Sequence, residues 1–290
     1  MVAFAKISTF KIGNSLEVNR MGFGTMQLTG PGVWGPPKDE ASARTLLRRA
    51  VELGINFMDT ADVYGPDHAE RLVHEALHPY PEGLVIATKG GLVRSGPATV
   101  ENPGMSMNGS ESHIRNAVEG SLRKLGIGCI DLYQLHRIDP ATPVEDTMKV
   151  FRALRDEGKI RHIGLSGVGV EDIERARSVV EISTVQNLYN LAERKHDPVL
   201  AYCEQHGIGF IPFWPLHIGA LNKSVVMATI TERTGATPAQ IALAWLLKRS
   251  PVILLIPGTS SIAHLEENAA ACNVDLSDQD MEALLHIHLS

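Results

Sequence analysis

Cysteine is scarce in this chain: the 290 residues include only three, Cys129, Cys203 and Cys272, which are far apart in the sequence. Their odd number, without any CxxC or Cys/His spacing, argues against a disulfide framework and against a zinc site. We therefore expect three reduced, packed thiols and no bound metal.

Long apolar runs and an excess of basic charge are also missing. Runs such as 241–247 and 252–256 are far shorter than the ~20 residues that a membrane helix needs. The net charge of −6 gives no basic surface for nucleic acid, and residues 1–11 lack the apolar core of a signal peptide. We expect a cytoplasmic protein, a monomer or weak homo-oligomer, with neither membrane nor nucleic acid as a partner.

What the chain does contain is a regular alternation of short apolar runs and amphipathic stretches of helical period. The predicted strands are 20–24, 55–58, 84–88, 130–135, 160–165, 183–187, 209–212 and 252–256. Eight alternations within this length favour a closed (β/α)8 barrel, with residues 1–290 as a single domain. Capping-box patterns at 142–145 and 237–240 predict two of the helix starts.

Two segments outside the alternation carry their own predictions. Apolar residues alternate on both sides of Gly13-Asn14, which predicts a β-hairpin over 9–18 that caps the N-terminal end of the barrel. Residues 90–109 are rich in Gly, Pro, Asn and Met, and this composition predicts a flexible loop beside the opposite rim.

Four polar residues lie at the carboxyl ends of successive predicted strands or in the turn after one: Asp59, Tyr64, Lys89 and His136. In a parallel α/β barrel this rim is where chemistry is done. An ammonium close to a phenol stabilises the phenolate, so we expect Lys89 to lower the pKa of Tyr64 and make it a general acid. Asp59 would hold Lys89, and His136 would donate to a substrate oxygen.

Each of these residues also has a plainer interpretation. Asp59 and Lys89 together form an ordinary salt bridge in many proteins, Tyr64 could pack in its turn, and His136 could be a satisfied core imidazole. The four at successive strand ends favour the catalytic interpretation.

The chain resembles an aldo-keto reductase over nearly its whole length, and within that family it is similar to pyridoxal reductase relatives. The segments that carry the resemblance are FMDTA (57–61), YG (64–65), TK (88–89), DLYQLH (131–136), GKIR (158–161), IGLS (163–166), VQN (185–187), PL (215–216), IPG (256–258) and LEEN (265–268). The resemblance implies a barrel that binds NADPH without a Rossmann domain. It also implies Tyr64 as proton donor, with Asp59, Lys89 and His136 completing a tetrad.

The resemblance further implies where the cofactor binds. Ser166 and Gln186 match positions that hold the nicotinamide carboxamide, and Phe213 stands where a tyrosine usually stacks on the ring. The remaining cofactor positions implied are Leu216, Gly258, Thr259, Ser260, His264, Glu267 and Asn268. For Thr259 and Ser260, an ordinary helix cap is the alternative interpretation. Met26, Trp34 and Trp214 are the candidate substrate-pocket residues.

Two departures from the family pattern bear on the cofactor. His264 occupies a position where many relatives place an arginine on the 2′-phosphate, so NADPH is preferred but NADH use stays open. Gly167 replaces the usual asparagine after Ser166 and removes one carboxamide contact.

The sequence thus predicts hydride transfer from NADPH to an aldehyde or ketone, a small carbonyl substrate. Two alternatives stay open. One is an NADPH-binding regulatory subunit of the same fold with little turnover, and the other is a cofactor-free enzyme in which Lys89 forms a Schiff base.

Overall fold

The chain begins with an antiparallel hairpin, formed by β1 (Thr9–Ile12) and β2 (Leu16–Asn19). The computed structural model describes residues 8–216, 221 and 224–287. Ile12 and Val18 are fully buried, in one apolar cluster with barrel-strand residues such as Phe57 and Leu132. The predicted hairpin cap is therefore confirmed, and it closes the end of the barrel opposite the candidate site.

Parallel strands follow in an order in which each pairs with the next strand of the barrel. They are β3 (Phe23–Gly24), β4 (Phe57–Asp59), β5 (Val85–Gly90), β8 (Ile130–Leu135), β9 (Ile160–Ser166), β10 (Thr184–Leu188) and β11 (Gly209–Phe213). The residues are mostly buried because helices cover the outer surface of such a sheet, and this accounts for their near-continuous apolar sequence.

The predicted eighth strand, 252–256, closes the sheet but forms only isolated bridges. Met21 pairs with Leu255 and Phe210 pairs with Ile253, both in parallel. The Leu254 backbone N–H donates to Phe210 O at 2.8 Å, and the Gly22 N–H donates to Leu255 O at 2.7 Å. These bonds join the last strand to β11 on one side and to the first strand on the other, so the (β/α)8 barrel is confirmed.

The helices of the described residues lie between these strands and after them. They are α1 (Glu40–Glu52), α2 (His68–Leu77), α3 (Glu111–Leu125), α4 (Val144–Asp156), α5 (Val170–Arg177), α6 (Asp197–His206), α7 (Val225–Thr234), α8 (Pro238–Arg249), α9 (Ile262–Ala270) and α10 (Asp278–Leu285), with 3₁₀ turns at Met26–Leu28, Pro31–Val33 and Ala271–Asn273.

The two capping-box predictions had different outcomes. At α8 the Gln240 N–H donates to Thr237 Oγ1 and the Thr237 N–H donates to Gln240 Oε1, so the box is formed. At α4 the prediction was wrong. Thr142 Oγ1 donates instead to Asp139 Oδ2 at 3.1 Å, and Pro143 occupies the cap position.

The segment predicted as a flexible loop contains an antiparallel pair, β6 (Leu92–Arg94) with β7 (Met105–Met107). Arg94 fixes this arm to the loop after β3, since its guanidinium donates to the carbonyl oxygens of Gly32, Val33 and Pro103. Composition predicted a loop because Gly and Pro dominate the tip, while the pairing depends on only three residues at each side.

Candidate active site

The centre of the site is the ammonium of Lys89, which is buried in β5 at the carboxyl-terminal rim of the barrel. Its Nζ donates to Asp59 Oδ2 at 2.6 Å, to Thr60 O at 2.8 Å and to Tyr64 Oη at 3.3 Å. All three N–H groups of the ammonium therefore have partners. One lysine thus links the carboxylate and the phenol that the sequence predicted to lie together.

Asp59 is held by more than Lys89. Its other oxygen, Oδ1, accepts from Gln134 Nε2 at 3.2 Å and from Gln186 Nε2 at 3.0 Å. Both glutamines are buried. Because its two oxygens are satisfied from opposite sides, the carboxylate is fixed in orientation and in turn fixes Lys89.

Burial raises the pKa of Tyr64 above its ordinary value, although Lys89 lowers it and Asp59 adds to the rise. The expectation that Lys89 would bring this pKa below the ordinary value is therefore wrong for the free protein. The physical reason is that Asp59 offsets much of the Lys89 charge while the phenol is withdrawn from water. The phenol keeps its proton at neutral pH.

The other two groups have defined charge states. Burial lowers the pKa of Lys89, but Asp59 and Tyr64 together raise it more, so the amine stays protonated. Burial, with the charges of Lys89, Arg137 and Arg94, holds the pKa of His136 well below its usual value. His136 is thus a neutral imidazole, and its ring lies edge-on to that of Tyr64, with 5.8 Å between centroids.

A cavity of about 460 Å³ opens in front of these groups. Among the residues that line it are Asp59, Tyr64 and His136 of the predicted tetrad, and Ser166, Gln186, Phe213, Leu216 and Gly258 of the predicted cofactor set. The structure therefore brings residues from distant parts of the chain together around one cavity. A second cavity, of about 590 Å³, adjoins Ser260 and shares Met26 and Gln27 with the first.

The remaining predicted cofactor residues lie in α9 or just before it. Thr259 Oγ1 accepts from the Ser261 N–H at 3.0 Å, and Ser261 Oγ caps the helix by accepting from the His264 N–H. The His264 residue is exposed. Glu267 accepts from Thr237 Oγ1 at 2.6 Å. Asn268, next to it, is buried.

Of the three predicted substrate-pocket residues, two line the main cavity. Met26 and Trp214 do so, and Trp214 is 61% exposed with its backbone in the left-handed region at φ +51°. Trp34 lines neither cavity: its side chain is 39% exposed, and its backbone N–H donates to Gly30 O. The structure does not bring Trp34 to the site.

Several lining residues were missed by sequence reasoning. The cavity is also lined by Leu92, Arg94, Met105 and Arg137. Arg137 carried a usable signal, since it directly follows His136 at a strand end. The other three depend on the folding of the β6–β7 arm over the rim, for which the sequence held no clear pattern.

Within the described residues, no three His, Cys, Asp or Glu side chains converge as they would around a metal ion. Every helix in the same ranges is too short or too polar to cross a membrane. Cys129, Cys203 and Cys272 all lie in this part of the chain as free thiols.

Comparison with known proteins gives consistent matches. The model of the Aldo/keto reductase family matches residues 20–288. An uncharacterized oxidoreductase of Schizosaccharomyces pombe is 49% identical, over 95% of this chain and 88% of its own. Pyridoxine 4-dehydrogenase of Escherichia coli is 41% identical, over 96% of this chain and 97% of its own. The crystal structure of an aldo-keto reductase from Klebsiella pneumoniae in complex with NADPH is 28% identical. It has a TM-score of 0.79, over 97% of this chain and 94% of that one.

Proposed function

This chain belongs to the aldo/keto reductase family, and from that premise we propose that it reduces aldehydes or ketones with NADPH, reversibly with the alcohols. The observation that carries the proposal is the contact of Lys89 Nζ with both Asp59 and Tyr64, beside His136 at the wall of a cavity. We propose Asp59, Tyr64, Lys89 and His136 as the catalytic residues.

The residues around the cavity fit a nicotinamide cofactor. Phe213 offers an aromatic face, and Ser166 and Gln186 offer polar groups beside it in the same cavity. Ser166, Gln186, Phe213, Leu216, Gly258, Thr259, Ser260, His264, Glu267 and Asn268 would hold the cofactor. When bound, NADPH supplies the hydride. The Klebsiella pneumoniae relative solved with NADPH supports this choice. His264 is exposed and is less suited than an arginine to binding a 2′-phosphate, so the use of NADH stays open.

The protein's own part of the reaction is to deliver a proton. Tyr64 holds its proton at neutral pH because burial raises the pKa of its phenol. As a carbonyl oxygen beside it gains negative charge, that oxygen becomes a far stronger base than a phenolate, so the proton moves from Tyr64 Oη to the oxygen. Lys89, kept charged by Asp59, then stabilises the phenolate that remains.

His136 acts as a neutral hydrogen-bond donor in this proposal. Its lowered pKa keeps the imidazole uncharged, so it can donate one N–H to the carbonyl oxygen and orient it toward Tyr64 without competing as an acid. Met26 and Trp214 would contact the rest of the substrate.

The buried ion pair argues against the Schiff-base alternative. A Schiff base needs a neutral lysine, whereas Asp59 and Tyr64 raise the pKa of Lys89 against the effect of burial. The three hydrogen bonds of its ammonium would also have to break before attack. The second alternative, a regulatory protein that binds NADPH with little turnover, differs in kinetics rather than in geometry.

The test is to follow the absorbance of reduced nicotinamide with a panel of carbonyl compounds, once with NADPH and once with NADH. Because a relative is named pyridoxine 4-dehydrogenase, the panel begins with pyridoxal, and the reverse assay begins with pyridoxine and NADP⁺. We expect carbonyl-dependent oxidation of NADPH over many turnovers. Tight NADPH binding without turnover on any carbonyl would support the regulatory alternative and contradict the proposal.

Three further expectations belong to the proposal. We propose that residues 1–290 act as a single domain, that the enzyme works as a monomer or weak homo-oligomer, and that it resides in the cytoplasm. Sedimentation of the purified protein and fractionation of the cells that make it would test the last two.

A further inference from the structure

The wall of the cavity contains a cation, Arg137, that has no role in the proposed reaction as described above. It directly follows His136 and the end of β8. Its Nη1 donates to His136 O at 2.6 Å and to Ser166 Oγ at 2.7 Å, and its Cζ lies 5.3 Å from the centroid of the Phe213 ring. Arg137 therefore contacts Ser166, which would hold the nicotinamide carboxamide, and Phe213, which would stack on the ring.

The position of Arg137 depends on a glycine. Gly167 has φ +70°, and a Cβ built on it would lie 3.1 Å from the Cδ, Cζ and Nε atoms of Arg137. The guanidinium thus fills the space that a side chain at position 167 would need. The sequence predicted that Gly167 costs the site a carboxamide contact, and the structure places a donor of another residue in that space.

The hydrogen-bonding groups around Arg137 match a primary carboxamide. Gln186 commits its Nε2 to Asp59, which leaves Oε1 as the acceptor it can offer. Ser166 Oγ accepts from Arg137 and keeps its own proton to donate. Arg137 has five N–H donors, and only Nη1 has partners among the described residues. A carboxamide oxygen needs donors and its NH₂ group needs an acceptor, and this set supplies both.

We propose that Arg137 is a cofactor-binding residue of this enzyme, donating from its guanidinium to the carboxamide oxygen of the nicotinamide in place of a side chain at position 167. The inference rests on the proposed function. It has an electrostatic consequence, because the nicotinamide ring is neutral in NADPH and positive in NADP⁺. A fixed guanidinium beside the ring favours the reduced form.

The side chains near Arg137 do not cancel the positive charge of its guanidinium. Asp59 is paired with Lys89 at 2.6 Å, and His136 is neutral. Arg94, also in the cavity wall, adds a further positive charge. No carboxylate other than Asp59 lines the cavity within the described residues. Arg137 therefore contributes both a hydrogen bond and a charge preference, and substitutions separate the two.

The experiment measures dissociation constants for NADPH and NADP⁺ by titration calorimetry, with wild type, Arg137→Met and Arg137→Lys. Arg137→Met keeps an unbranched apolar side chain and removes the guanidinium with its charge. We expect it to weaken NADPH binding about tenfold, equivalent to about 1.4 kcal/mol, and NADP⁺ binding by less. Arg137→Lys should keep the NADPH/NADP⁺ ratio close to that of wild type while losing part of the affinity, since an ammonium lacks the planar fork.

Two further variants complete the design. Arg155→Met, on the outer helix α4, removes one arginine charge far from the cavity and should change neither constant. Arg137→Ala combined with Gly167→Asn should recover NADPH affinity relative to Arg137→Ala alone, because the asparagine gains the space that the guanidinium leaves.

The results also distinguish failure of this inference from failure of the proposed function. If Arg137→Met binds NADPH as tightly as wild type, or more tightly, Arg137 merely covers the Phe213 face and the inference is overturned while the proposed function stands. If wild type binds neither cofactor, both are overturned.

Discussion

Replacing Lys89 by methionine should destabilise the protein strongly, because the substitution leaves Asp59 charged and buried without its counter-ion. Lys89 is fully buried and Asp59 is 2% exposed, with 2.6 Å between Nζ and Oδ2. Methionine is similar in length, so the variant changes charge more than volume. The perturbation therefore isolates the electrostatic role of the ammonium.

The expected cost is about 3–5 kcal/mol, the usual result when one partner of a buried ion pair is removed. The cost of leaving the Asp59 carboxylate without its counter-ion should lie near the lower end of this range, because Gln134 and Gln186 still donate to Asp59 Oδ1. The loss of the bond to Thr60 O adds to the cost, since an unsatisfied buried acceptor is worth about 1–3 kcal/mol. In Asp59→Asn/Lys89→Met the buried charge is gone, and we expect at least half of the lost stability to return.

Urea denaturation of the single and double variants measures these differences. Lys149→Met is the matched control, because its 2.7 Å pair with Asp146 is exposed on both sides and such pairs contribute about 0–1 kcal/mol. A Lys89→Met variant that is no less stable than Lys149→Met would refute the description of Lys89 and Asp59 as a tightly coupled buried pair.

Three other predictions concern charge and specificity. Burial and Glu70 raise the pKa of Asp62 to about 8, so folding takes up a proton there and stability falls as pH rises from about 4 to about 8. Asp62→Asn should remove this loss and stabilise the protein by up to about 4 kcal/mol more at about pH 9 than at about pH 5. If thermal unfolding shows the same gain in stability at both pH values, the prediction is wrong. In the same Asp62→Asn variant, kcat/KM for carbonyl reduction should not change between about pH 7 and pH 9, because the pKa of His136 is lowered and that of Tyr64 is raised. A rise or fall of kcat/KM within that range would show that one of the two groups titrates there. His264→Arg should raise the preference for NADPH over NADH, measured as the ratio of kcat/KM values, because an always-charged, planar guanidinium binds a phosphate more strongly than an imidazole does. An unchanged ratio would mean that the 2′-phosphate is bound by other residues.

The barrel and the meeting of the tetrad could be predicted from the sequence for a definite physical reason. Parallel strands buried on both faces are short apolar runs, and a polar residue at the end of one must emerge at the same rim as the others. This rule predicted from the sequence alone that Asp59, Lys89 and His136 lie together. Tyr64 followed because it lies in the turn directly after its strand.

What the sequence could not predict depends on contacts between distant segments. The rise in the pKa of Tyr64 results from the balance of burial against two opposite charges, and that balance needs distances. Gln134 reaches Asp59 from a strand two places away in the sheet. Arg137 occupies space left by Gly167, which directly follows the neighbouring strand β9. Trp34 was expected in the pocket because it lies in the loop after the first strand, but the path of that loop keeps its side chain out of both cavities.

The most direct test of the account is the Tyr64→Phe variant, which removes only the hydroxyl that contacts Lys89 Nζ at 3.3 Å. Single-turnover reduction of a carbonyl by bound NADPH, measured beside the dissociation constant for NADPH, separates chemistry from binding. We predict that reduction falls by at least about a hundredfold, as expected for loss of a general acid, with little change in the dissociation constant. Reduction at the wild-type rate by this variant would contradict the assignment of Tyr64 as the proton donor.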